Sequence, residues 1–176
     1  LAKQNLDGYI VGKGLVLSKF ATVQRVETRV DGVASIVADA NGTLTEPGLK
    51  ASLKITGATY EGHPIGDATA EMHSQGKTLY VTANSNLVGA KLDAAGQVQL
   101  DGDHQAQAKL TVAGLDIGKP LALFGAGDVQ VQSSVNGTAT VSGPLKNPKA
   151  LNGEVELSQV NVKAQGVELK AAEPLR

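Results

Sequence analysis

The sequence has no cysteine and no tryptophan, and only three tyrosines, two phenylalanines and one methionine in 176 residues. Without thiols there is no disulfide framework and no thiolate chemistry. The compartment stays open, since many exported bacterial proteins also lack cysteine. The scarce large side chains (Tyr9, Phe20, Tyr60, Tyr80, Phe124 and Met72) leave Val, Leu, Ile and Ala to fill any interior. A compact enzyme of this length usually leans on aromatics, which bury far more area each. No excess of either charge exists, with 16 basic against 17 acidic residues. A nucleic-acid reader shows a clustered basic face, so no nucleic-acid partner is expected. No apolar run approaches the roughly 18 residues of a membrane span, and no signal-peptide pattern opens the chain. The abrupt ends, LAKQNL and AAEPLR, predict a piece of something longer, with any anchor or export signal outside it.

What the chain does have is period-two alternation. Ala51, Leu53 and Ile55 alternate with Lys50, Ser52, Lys54 and Thr56. The pattern returns at Leu79/Val81/Ala83, Val98/Leu100, Ala106/Ala108/Leu110/Val112, Val129/Val131, Ala139/Val141, Val155/Leu157 and Val167/Leu169/Ala171. Such alternation marks half-buried antiparallel strands with one apolar and one polar face. Twenty-one glycines supply turn signals at Asp7-Gly8, Asp31-Gly32, Asn41-Gly42, Glu61-Gly62, Asp101-Gly102, Asn136-Gly137 and Asn152-Gly153. Asn-Gly and Asp-Gly suit tight hairpins because both central residues of a type I′ turn need positive φ. The reading is all-β, with about a dozen strands at 8–12-residue spacing and one short helical turn over Lys119–Phe124.

One phrase occurs twice. Gly-x-Leu-x-x-Pro stands at Gly42/Leu44/Pro47 and at Gly143/Leu145/Pro148. After each copy comes an alternating strand, then a second short strand. With one residue added, Leu53/Ile55 align with Val155/Leu157 and Ala58/Tyr60 with Val160/Val162. Pro lacks an amide donor and Gly permits a sharp turn, so the phrase punctuates strands.

This organisation, over most of residues 6–175, resembles the repetitive regions of AsmA-like and TamB-like envelope proteins. The ending GVELKAAEPLR is similar to their recurrent strand followed by Pro-Leu-Arg. The resemblance implies a long, curved sheet forming an open β-taco groove. It divides the chain into two repeat modules, approximately 1–141 and 142–176, the second continuing beyond the sequence. It also implies a periplasmic location between inner and outer membranes, with the full-length protein anchored in the inner membrane. The implied function is phospholipid transport and outer-membrane biogenesis, including barrel-protein assembly with a TamA-like partner.

An acyl-conducting groove needs a continuous aliphatic surface rather than a deep pocket. Each buried methylene is worth about 0.8 kcal/mol, and a uniform lining offers similar burial at each step of a sliding chain. A dozen strands spaced about 4.8 Å apart would give a channel of roughly 55–60 Å. The expected lining is Ala51, Leu53, Ile55, Leu79, Val81, Val98, Leu100, Leu110, Val112, Val129, Val131, Val141, Val155, Leu157, Val167 and Leu169. Alternation fits a closed sandwich core and an open trough alike; the resemblance favours the trough.

Other features read more plainly. His63, His73 and His104 lie far apart for a metal site, and Asp101/Asp103 lack the remaining ligands of a calcium loop. Gly12–Gly14 and Gly125–Gly127 complete no phosphate-binding pattern. Asn41 and Asn136 open formal glycosylation sequons, yet Asn-Gly equally marks a turn. Ser133 and Ser134 have no neighbouring base. No cofactor and no enzyme activity are expected. The rival readings are a structural or adhesive β-solenoid spacer without lipid transport, and a chaperone-like module offering strand edges by β-augmentation.

Overall fold

The computed structural model describes residues 5–19, 30–43, 46–119, 131–164 and 167–170. The strands are β1 (Asn5–Val16), β2 (Val30–Thr43), β3 (Pro47–Tyr60), β4 (His63–Gln75), β5 (Thr78–Leu87), β6 (Ala90–Gln99), β7 (Gln105–Leu115), β8 (Val131–Pro144), β9 (Asn152–Ala164) and β10 (Val167–Lys170). They form one ten-stranded sheet in sequence order, each strand antiparallel to the next. The sheet is a curved meander that does not close into a barrel.

Among the described residues there are ten strands, several of them 12–14 residues long, where about a dozen shorter ones were expected. The difference comes from bulges. In β3, Thr56-Gly57 stand opposite the single residue Asp67, so a strand that reads as two pieces continues unbroken to Tyr60. Equivalent insertions lie at Lys13-Gly14 in β1 and Ala113-Gly114 in β7. In each the glycine takes a left-handed φ (63°, 60° and 68° for Gly14, Gly57 and Gly114), where a Cβ would be strained. The Gly57 amide donates to Asp67 Oδ1 and the Gly114 amide to Asn136 Oδ1, both at 2.7 Å. These side chains satisfy donors that the bulge removes from the ladder.

Most of the expected turns lie inside strands. Asp7-Gly8 is within β1, Asp31-Gly32 and Asn41-Gly42 within β2, Asn136-Gly137 within β8, and Asn152-Gly153 opens β9. Glu61-Gly62 and Asp101-Gly102 do turn the chain. Two further hairpins turn at Gly76-Lys77 and Val88-Gly89. The second has positive φ at both residues, 53° and 79°, the type I′ geometry. The two Gly-x-Leu-x-x-Pro phrases fall at the β2–β3 and β8–β9 connections: Pro47 opens β3, whereas Pro148 begins a 3-10 turn, Pro148–Ala150. Of the expected helical turn only its first residue, Lys119, falls among the described residues; 120–124 lie outside them.

Buried apolar side chains among the described residues are few: Ala34, Ala58, Ala90 and Val135. Ala58, Ala90 and Val135 lie beyond the bulges of β3 and β7, toward one end of the strands, where Gly32 brings its backbone close to Ala58 and Leu17. No second layer of structure covers the sheet among the described residues.

Candidate functional site: an uncovered apolar sheet face

Directly opposed residues of antiparallel strands share a face, so register carries the apolar side across the sheet as four rows. The first runs Ser74, Leu79, Val98, Ala106, Gly143. The second runs Ile10, Ala38, Ala51, Met72, Val81, Gly96, Ala108, Val141, Gly153. The third runs Gly12, Ile36, Leu53, Ala70, Ala83, Ala94, Leu110, Ala139, Val155. The fourth runs Leu15, Ala34, Ile55, Ala68, Ser85, Leu92, Val112, Gly137, Leu157.

No charged residue interrupts these rows, and serine is their one polar residue type. Ser74 Oγ accepts from the Leu49 amide at 2.7 Å and donates to the Pro47 carbonyl. Its polarity is thus spent on the β3 backbone. The opposite face carries the charge: Asp39, Lys50, His73 and Gln97 form one row there, and Glu71, Lys109 and Glu154 fall in the next. His73 and Tyr80 stack on that side with ring centroids 5.2 Å apart.

The two faces differ in exposure. Ala51, Ile55, Leu79, Val98, Val112 and Leu157 are half-buried, although no layer packs on them, while Lys54, Thr69, Thr82, Lys109 and Thr140 behind them are exposed. On the apolar side the larger side chains shelter one another across the rows. The sheltering is partial: Leu53, Val81, Leu110, Val141 and Val155 remain 36%, 38%, 37%, 42% and 57% exposed. A sandwich core would have buried them.

Register therefore gathers Ala51, Leu53, Ile55, Leu79, Val81, Val98, Leu110, Val112, Val141, Val155 and Leu157 onto one face. Leu100 lies just past β6, its amide donating to the Lys77 carbonyl at 2.7 Å. Val131 opens β8, half-buried and opposite Ala164. Val167 and Leu169 occupy register positions opposite Ala164 and Val162, and Val129 lies outside the described residues. The sequence reading missed Ile36, Ala38 and Leu92. In β2 the strict Ala34/Ile36/Ala38/Ala40 alternation is masked by Val33 and Val37, apolar residues on the other face.

Ten strands at about 4.8 Å spacing give an arc of roughly 43 Å, shorter than a dozen would, and four rows span roughly 20 Å along the strands. Depressions elsewhere gather no reactive set. One of about 530 Å³ is lined by Tyr80, Gln97, Gln107, Lys109, Thr140 and Ser142 among others. Another of about 550 Å³ lies among His63, Ile65, Asn86, Val88 and Lys119. Among the described residues no three His, Asp or Glu side chains converge as metal ligands would. No family profile, curated protein or solved structure matches the chain.

Proposed function

We propose that this chain is a segment of a TamB-like or AsmA-like envelope protein whose trough carries phospholipid acyl chains between the inner and outer membranes. The observation that supports this reading is the uncharged, four-row apolar face, left uncovered among the described residues. A monomeric soluble protein seldom exposes a contiguous apolar patch of this extent unless it binds something there. An aliphatic chain matches it because, apart from Ser74 and Ser85, the lining is Val, Leu, Ile, Ala, Gly and Met, with little to reward a polar ligand. The arc of roughly 43 Å exceeds the roughly 15 Å depth of one leaflet's hydrocarbon, so several chains fit along it. Near-uniform burial per methylene lets a chain slide without crossing a deep minimum. The periplasm is the proposed compartment, and a TamA-like barrel partner is engaged through regions outside these residues. A β-solenoid spacer has less support, since it would bury the side chains that this sheet leaves partly exposed.

Native mass spectrometry after detergent-free purification tests the reading: phospholipid adducts are expected, and a clean apo mass overturns it. Leu53→Asp combined with Leu110→Asp should abolish the adducts while far-UV circular dichroism stays unchanged. Both positions are already more than a third exposed, so global unfolding would instead mean that they belong to a closed core.

A further inference from the structure

The polar face holds a depression of about 530 Å³ over β5–β8, within the size range of small-molecule sites. Two register rows form it. One runs Tyr80, Gln97, Gln107, Ser142, and the other Ala95, Lys109, Thr140. Ala95 contributes only a methyl, which leaves room between its larger neighbours.

The Tyr80 ring is one wall. His73, one strand back on β4, stacks on it with centroids 5.2 Å apart and planes 17° from parallel. That contact orients the ring and occupies one of its faces; the other face borders the depression. Gln97 Nε2 donates to Gln107 Oε1 at 3.4 Å, which leaves the Gln97 carbonyl as acceptor and the Gln107 amide as donor. The Ser142 and Thr140 hydroxyls can do either.

This chemistry narrows the occupant. An acyl chain would meet amides and hydroxyls that it cannot satisfy. A polyanion would meet one ionised group, Lys109, among the described residues that line the depression. An extended peptide would find no backbone to pair with, since β6 and β7 are each hydrogen-bonded on both sides. A sugar ring matches: its C–H face suits an aromatic plane, and its vicinal hydroxyls both donate and accept. Spacing extends the match. Side chains along the row recur at each strand, about 4.8 Å apart, close to the rise per sugar of an extended β-1,4-linked pyranose chain. We propose that this surface binds such a glycan laid across the strands, one ring against Tyr80 and the next ones over Gln97, Gln107 and Ser142. The site lies on the face opposite the apolar rows and stands whatever those rows carry.

Isothermal titration calorimetry should show binding of cellohexaose or N-acetylchitohexaose. Maltohexaose, whose α-linkages coil the chain out of register, should not bind. In heteronuclear NMR spectra the side-chain amide signals of Gln97 and Gln107 should shift on titration. Tyr80→Ala should weaken binding about tenfold, whereas Tyr80→Phe should retain it. Gln97→Ala combined with Gln107→Ala should also weaken binding, and it carries the test should Tyr80→Ala fail to fold by far-UV circular dichroism. Failure of both β-1,4-linked hexamers to bind, equal binding of maltohexaose, glutamine signals that stay fixed, or undiminished binding by folded Tyr80→Ala overturns the proposal.

Discussion

Gly114 and Gly137 are close in the sheet, yet glycine is required at each for a different reason. Gly114 sits at φ 68° with open space where a side chain would go. Gly137 has an ordinary backbone, but a methyl there would lie 2.7 Å from the Glu156 carbonyl oxygen. Gly114→Ala should therefore cost on the order of 1–2 kcal/mol through backbone strain alone, with Gly114→Asn recovering part of it because Asn tolerates the left-handed region. Gly137→Ala should act locally, pushing β9 from β8. Urea titration reads the first effect. Amide hydrogen exchange reads the second as lost protection confined to β8 and β9.

At the level of elements, β2 is tied to the turn that precedes it through Asp31. Its carboxylate accepts from the Gly32 amide at 2.7 Å and the Ser18 amide at 3.4 Å. The Gly32 hydrogen bond, more than any other cause, holds the carboxyl below its ordinary value of 3.8. A depressed carboxylate stabilises the fold fully above 3.8 and loses that contribution as pH falls through the lower, folded value. Asp31→Asn should thus flatten the acid limb of a melting-temperature profile and leave its alkaline limb unchanged. The elements also show what the sequence reveals. Alternation marks β3, β5 and β7 and orients their side chains correctly, because a half-buried strand must alternate. Turns are harder to read. Asp31-Gly32 and Asn136-Gly137 carry hairpin chemistry but serve at bulges, where close backbone approach also selects glycine. Val88-Gly89 is a true hairpin hidden by a β-branched residue at positive φ. What decides between these uses is the neighbouring strand, and no local window contains it.

For the molecule as a whole, a meander in sequence order means that each strand is held by its immediate neighbours, much as in a linear repeat array. Among the described residues no shared core couples distant strands, so opening should start at the ends. Hydrogen exchange should show protection greatest in β4–β6 and declining toward β1 and β10; uniform protection would indicate a hidden cooperative core. The uncovered face gives a second expectation. The native chain should enhance anilinonaphthalene sulfonate fluorescence at neutral pH, and added phospholipid should displace the dye. Native proteins with covered cores give little such signal.

The bulged strand pairs β1–β2 and β7–β8 hold one more consequence. In the first, Gly12 faces Ile36; in the second, Val112 faces Gly137. Each pair combines one glycine with one β-branched residue, but the strands have exchanged which supplies the bulk. The two glycines are nevertheless tied to different neighbours. A methyl at Gly12 would meet Ile36 Cγ2 at 3.1 Å, so bulk there trades against Ile36, whereas a methyl at Gly137 would meet the β9 backbone whatever stands at Val112. Gly12→Val with Ile36→Gly should therefore be tolerated better than either change alone, while no change at Val112 should rescue Gly137→Ala.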